Sequence, residues 1–351
     1  MRKHSALIAL LLICSFTHAA IANEQTPGTH WYRSSAMASV RSVNIDVAVY
    51  ELGDISSLAD GKTTLSKLEY LETRGDWPLP AREAAIFQFT LSLAEMPRDA
   101  VATEVMQYLR NYQAQTLVPH EDHGEALIPL FNIRAAAAGV ENGWQRKEFA
   151  IRATKLIEEN PGELVSGYAE SINHNQRSGY LDALQDAELA DVEMVQTITL
   201  ERLGESPELT PVLGVSTAIT ADIFAIQKLL INGRGAGLSS TLVQLDKRLP
   251  ASETATLLVF AIEQAPDTNA ALAIAAWWPR LRHEPAIRDL LVGLLSDPAL
   301  GASAALALAQ NPDIQTIKVL QDTAKGNSAA ARRAQMALDF NRDHLIRETQ
   351  P

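Results

Sequence analysis

The pentapeptide Ala304-Ala305-Leu306-Ala307-Leu308 returns 30 residues later as Ala334-Gln335-Met336-Ala337-Leu338. At the same offset Ile287 matches Ile317 and Leu290 matches Leu320. A third version, Ala270-Ala271-Leu272-Ala273-Ile274, stands 34 residues upstream of the first. The turns Ser296-Asp297-Pro298 and Lys325-Gly326-Asn327-Ser328 fall between the matched segments. Three copies of about 30 residues, each a helix, a turn and a second helix, leave few ways to fold. One such pair has too little apolar face to be stable alone, so neighbouring pairs must stack and share a core. Alanine on the second helix lets the next helix approach closely, while Leu and Ile from the first fill the seam.

On these residues the sequence resembles the HEAT-like family of helical repeats, over Ser252–Asp343 and in a more degenerate form over Asp76–Leu249. It departs from a strict repeat, since Arg332-Arg333 in one copy stands where another has Ala302-Ser303. The resemblance implies an all-α fold, an α-solenoid of stacked antiparallel helix pairs. It also implies a binding surface, on the concave side, far more often than catalysis.

Upstream of the repeats the period is also helical. Asp76-Trp77-Pro78-Leu79-Pro80 opens a helix carrying Ala85, Ile86, Phe89 and Leu93, and Pro97 stops it. Asp99 is placed to cap the next, where Val101, Val105, Leu109 and Tyr112 share a face. Further helices are expected over Leu127–Val140, Trp144–Glu158, Gly162–Ser171, Asp191–Leu203, Ala221–Asn232 and Ser240–Leu249. Val43, Ile45, Val47 and Val49 alternate as a strand would, yet Val40, Val43, Val47 and Tyr50 also form a helical stripe. No second alternating run exists to pair with this one, and an unpaired strand leaves its backbone unsatisfied, so helix is expected.

The N-terminus carries a different pattern. Arg2 and Lys3 precede an apolar run from Ala6 to Phe16, and Ala20-Ile21-Ala22 offers small residues at a cleavage site. This is the secretory signal pattern, too short to serve as a membrane span. Ile13 ahead of Cys14 speaks against a lipoprotein signal. Cleavage after Ala22 takes the 30 basic residues to 28 against 42 acidic ones, a formal charge of −14. It also removes Cys14, the single cysteine, and with it disulfides and thiol chemistry. A periplasmic or secreted bacterial protein is expected. The expected partition is a signal peptide over 1–22, a lead-in over 23–75, a helical-repeat lobe over 76–203, HEAT-like repeats over 204–343 and a tail over 344–351. Gly204–Pro211 is the expected break between the two lobes.

The acidic balance excludes a general nucleic-acid binder, which needs a basic face to displace counterions. Several local clusters bear on function. His120-Glu121-Asp122-His123 supplies metal-type ligands, with His120, Asp122 and His123 the candidates and His30 a possible fourth. The histidines are three apart behind Pro119, unlike the helical HExxH arrangement, so a surface or capping role competes. Gly233-Arg234-Gly235-Ala236-Gly237 resembles a phosphate loop but follows a helix, which favours a cap and connection. Asp60-Gly61-Lys62-Thr63-Thr64 lacks the first P-loop glycine, its place taken by Ser56. Trp277-Trp278-Pro279-Arg280-Leu281-Arg282-His283 admits two readings. One indole could project as a binding anchor beside Arg280, Arg282 and His283, or both rings could plug the end of a repeat. There is no Gly-x-Ser-x-Gly elbow and no distinctive carboxylate pair.

The expected function is therefore a non-catalytic exported scaffold that binds another protein, one with a basic patch given the acidic charge. No cofactor is expected. The alternatives are a metal-binding or hydrolytic enzyme centred on His120 and His123, and a peptidoglycan- or glycan-associated helical protein.

Overall fold

Helix α4 (Leu79–Ser92) organises the N-terminal part of the chain. Its Pro80 lies in the first turn, where a missing N–H costs nothing, and Pro97 follows soon after the helix ends. Ala81, Ala84, Ala85, Ile86 and Phe89 are buried along it. Three helices pack on this face: α1 (Arg33–Arg41), α2 (Ile45–Gly53) and α3 (Gly61–Thr73). The fold is known from a computed structural model that describes residues 29–53, 61–122, 126–310 and 312–348. The signal segment with Cys14, and Ser56 and Asp60 of the loop resembling a P-loop, lie outside these residues.

The Val43–Val49 segment lies at and within the start of α2, a helix as expected, but on a different stripe. Ala48 and Leu52 are buried, whereas Val47 and Tyr50 are exposed. Helix α5 (Ala100–Arg110) starts at Asp99, whose Oδ1 accepts the Ala102 N–H at 2.7 Å. Val105, Leu109 and Tyr112 of its expected stripe are buried.

The helix expected over Leu127–Val140 is corrected in its first turn. Thr116–Pro119 forms strand β2, with β1 (Thr29–His30) parallel on one side and β3 (Leu127–Pro129) antiparallel on the other. Pro129 biases Ile128 before it towards extended backbone, and the strands pair backbone groups that a loop would strand. Leu130 N donates to Thr116 O at 2.9 Å and Trp31 N to Leu117 O at 2.9 Å. The rest of that segment joins the next one. Helix α6 (Ile133–Glu159) runs unbroken for 27 residues, where two shorter helices were expected. Gly139 and Gly143 face open space on it. Each glycine costs about 1 kcal/mol in a helix, and burial of Ile133, Ala137, Val140 and Trp144 offsets that.

Among the described residues the fold is all-helical apart from this small sheet. The chain divides into two compact units, Met1–Glu141 and Asn142–Pro351. Gly204–Pro211, the expected break, lies inside the second.

The second unit continues with α7 (Pro161–Glu170), α8 (His174–Gln185), α9 (Leu189–Arg202), α10 (Thr210–Thr220), α11 (Ile223–Asn232) and α12 (Gly235–Asp246). It ends with α13 (Ala251–Gln264), α14 (Asp267–Leu281), α15 (Pro285–Leu294), α16 (Gly301–Ala309), α17 (Ile314–Thr323) and α18 (Ala329–Glu348). The even-numbered helices pack in succession, α8 on α10, α10 on α12, α12 on α14, α14 on α16 and α16 on α18. Alongside them α7 packs on α9, α9 on α11, α11 on α13 and α15 on α17. The three alanine-rich copies lie on α14, α16 and α18, in one row.

Helices α8 and α10 carry no long apolar stripe, and the sequence reading passed over both. Helix α10 buries Thr210, Ser216 and Thr217. The Ser216 hydroxyl donates to Val212 O at 3.1 Å within its own helix, Thr210 donates to Pro207 O at 2.6 Å, and Thr217 accepts from Gln196 at 3.3 Å, so this small polar face can be buried. A Cβ on Gly214 would run into Thr241 Oγ1, and one on Gly237 would meet Pro211 at 3.0 Å. Hence the glycines at 233–237 end α11 and begin α12, with Gly235 at φ +68°, and they let α10 and α12 touch.

Side chains from two pairs, on α14 and α18, reach carbonyls near helix ends of the preceding pair. Asn269 Nδ2 donates to Leu230 O at 2.8 Å and Gly233 O at 2.9 Å. Trp277 Nε1 donates to Leu242 O at 2.9 Å, and Arg280 reaches the carbonyl of Asp246. Arg333 Nη1 donates to Leu295 O at 2.8 Å and Asp297 O at 2.7 Å, its guanidinium lying where a Cβ on Gly301 would be. Replacing Arg333 by alanine removes a charged donor from two carbonyls, a loss of about 1.5–3 kcal/mol. Urea unfolding of Arg333→Ala should show that drop with an unchanged m-value.

Candidate functional site

A recess of about 450 Å³ in the first unit lies between α3 and α5. Leu65 and Glu72 of α3 form one wall, and Glu104, Gln107 and Tyr108 of α5 the other. Asn111, Tyr112 and Gln113 close the end. Among the described residues no basic side chain lines it.

Its parts are fixed from behind. Glu83 of α4 is fully buried, and its carboxylate anchors the chain leaving α5. Glu83 Oε1 accepts Gln115 N–H at 2.6 Å and the Tyr112 hydroxyl at 3.4 Å, and Oε2 accepts Thr116 N–H at 2.9 Å. Buried carboxylates persist only when hydrogen-bonded in this way. Arg82, its neighbour on α4, donates to the Glu72 carbonyl and so holds the end of α3. Arg74 stacks on Trp77 at 4.4 Å and pairs with Asp76 at 2.9 Å, fixing the turn that follows.

The electrostatics inside are negative. Burial pushes the Glu72 carboxyl above its ordinary value, against the Tyr108 hydroxyl that hydrogen-bonds to it, with Glu69 and Glu83 adding to the rise. Tyr108 is raised by burial and by that bond to Glu72. Tyr112 is raised by burial and by the charges of Glu83 and Glu72. Two phenols that hold their protons are anchored to carboxyls, Tyr108 to Glu72 and Tyr112 to Glu83, and leave the carboxyls as the acidic groups of the wall.

No family model, curated protein or solved structure matches this chain. The site must be read from its own chemistry.

The residues singled out from the sequence are placed elsewhere. Trp277 and Trp278 are both buried, which overturns the reading of a projecting indole. Helix α14 packs between α12 and α16, so both rings have a neighbour to cover them, and the Trp277 N–H is spent on Leu242. Arg280 serves the end of α12 rather than a partner. Arg282 and His283 stay together at the surface, Nε to Nε2 at 3.1 Å, with His283 Nδ1 3.8 Å from Asp313.

His120 is half-buried at the end of β2 and accepts the Asp122 N–H on Nδ1 at 3.1 Å. Glu121 turns outward to Arg33 at 3.4 Å. His30 sits on β1 with its ring against Tyr32. His123 lies outside the described residues, among which no three His, Cys, Asp or Glu side chains gather as metal ligands. The cleft itself had one sequence signal, Glu104 and Tyr108 four apart on α5, but its partner Glu72 comes from a distant segment.

The raised Glu72 value has a stability consequence. A carboxyl that binds its proton more tightly folded than unfolded contributes stability present below its ordinary value of 4.5 and lost as pH rises through the folded value. Glu72→Gln removes that titration. The variant should be more resistant to urea than the parent at about pH 7, and the difference should shrink to nothing below about pH 4.

Proposed function

We propose that the protein is an exported, non-catalytic scaffold whose second unit is a HEAT-like α-solenoid that binds another protein. The observation that carries this reading is the scarcity of charge on α10, α12, α14 and α16, the middle of the even-numbered row. Helices α10 and α16 contain no ionisable residue, and α12 and α14 hold theirs near the ends, at Asp246, Asp267 and Arg280. The flanking row is charged throughout, with Asp191 and Glu193 on α9, Glu253 and Glu263 on α13, and Lys318 and Asp322 on α17.

Charge returns at both ends of that row, on α8 with Arg177 and Asp182 and on α18 with Arg332 and Asp339, and burial does not account for its scarcity between them, because outward positions are open. Leu306 is 51% exposed, Met336 67% and Phe340 49%. Leu306 and Met336 occupy the same place in the repeated pentapeptide, as does half-buried Leu272. Apolar side chains repeated at one register on successive helices make a surface larger than scattered exposed residues would, and such surfaces mark interaction sites. The acidic balance of the chain suits a partner with a basic rim around an apolar centre. Among the described residues no helix is long and apolar enough to cross a membrane.

Export rests on the first 22 residues, and N-terminal sequencing of protein recovered from the periplasm or medium should begin at Asn23. The binding face is tested with Leu306→Asp/Met336→Asp. Both positions are exposed, so the variant should keep the parent's melting curve while losing the proteins that the parent captures reproducibly from an envelope extract. Capture of nothing reproducible by the parent, across a range of salt, would end this reading.

A further inference from the structure

The cleft between α3 and α5 belongs to the first unit and has no place in the binding face just described. We propose that it is a receptor for a basic peptide segment, taking one Lys or Arg side chain beside Tyr108 and Tyr112 with its charge against Glu72 and Glu104.

Four features support that occupant. The walls carry two carboxylates and no cation. Glu72 is half-buried, and among the described residues no salt bridge reaches its carboxylate. Arg82, the nearby cation that lowers its value, spends Nη1 on the Glu72 carbonyl and does not line the cleft. A half-desolvated carboxylate without an ion pair gains more from an incoming cation than an exposed one does.

The second feature is the shape of the lining. Leu65 and the partly exposed Tyr108 ring offer apolar surface for the stem of a Lys or Arg, and an aromatic face attracts its charge. The third is the polar rim, where the amides of Gln107, Asn111 and Gln113 can accept hydrogen bonds from a guanidinium, an ammonium or a peptide N–H. The fourth is preorganisation. Glu83, Arg82 and the Tyr108–Glu72 bond hold the walls before any ligand arrives, so little ordering is spent on binding. A volume of about 450 Å³ also falls within the usual range of binding clefts, roughly 300–1,000 Å³.

Because the whole chain is acidic, a basic peptide will also associate loosely with its surface, so the test must separate the cleft from the background. The full-length mature protein is titrated calorimetrically with hexalysine at low salt. Parallel arms use Glu72→Gln/Glu104→Gln, a charge-matched control Glu253→Gln/Glu263→Gln on α13, and free spermidine. A photo-reactive hexalysine then maps contacts by mass spectrometry.

The expected result is a saturable site whose affinity falls about tenfold in the cleft variant and is unchanged in the control. Crosslinks should fall on α3 and the end of α5. Equal weakening by both double variants, or crosslinks spread over both units, would overturn the proposal, as would absence of saturable binding by the parent. Spermidine binding as tightly as hexalysine would overturn the assignment to a peptide. Glu→Gln is isosteric and relieves a desolvated charge, so a folded cleft variant is expected; its melting curve checks this. Failure of the Leu306/Met336 variant to lose captured proteins bears on the repeat face alone, and the two proposals fail separately.

Discussion

Helix ends leave carbonyls without partners, and in the second unit side chains arriving from the next pair close them. Asn269 closes α11, Trp277 and Arg280 close α12, and Arg333 closes the end of α15. Each donor sits 34 to 39 residues after its acceptor, about one repeat further on. The interaction is therefore both a cap and a joint. It satisfies backbone groups that would otherwise be costly to cover, and it fixes how far each pair slides along its neighbour. The alanines and glycines between the helices follow from that spacing, since the donors reach their carbonyls only where the helices nearly touch.

The first unit solves a related problem with a charge. The chain leaving α5 must turn into β2, which presents bare N–H groups of Gln115 and Thr116 to the interior. The Glu83 carboxylate takes both and the Tyr112 hydroxyl as well. One buried anion thus joins helix, turn and sheet, and the same residue contributes to the negative field at the cleft. Fold and candidate site depend on one group there.

The parts legible in the sequence were those that repeat or alternate. The three alanine-rich copies marked α14, α16 and α18, and the Val105–Leu109–Tyr112 stripe marked α5. Helix α10 is hard to see in the sequence because Thr210, Ser216 and Thr217 interrupt its apolar face; they are buried because Ser216 bonds within its helix, Thr210 bonds Pro207 and Arg234, and Thr217 accepts from Gln196. Strand β3 is hidden in the sequence because Leu127 and Ile128 fit either period and a proline at 129 is compatible with a helix's first turn. The Trp277–His283 segment looked like a binding anchor because a sequence does not reveal which carbonyl an indole N–H will find. The cleft drew Glu72 and Tyr108 from segments 36 residues apart, a distance over which periodicity carries no information.

Arg333 fills a notch that exists because residue 301 has no side chain. Lock and recess lie on different pairs, at a separation set by the repeat. A single inserted residue between them would put the guanidinium opposite the wrong turn. An inserted whole pair could carry its own donor and its own recess and leave each existing match intact. The architecture can therefore change length only in steps of a complete pair, much as a zip gains or loses whole teeth.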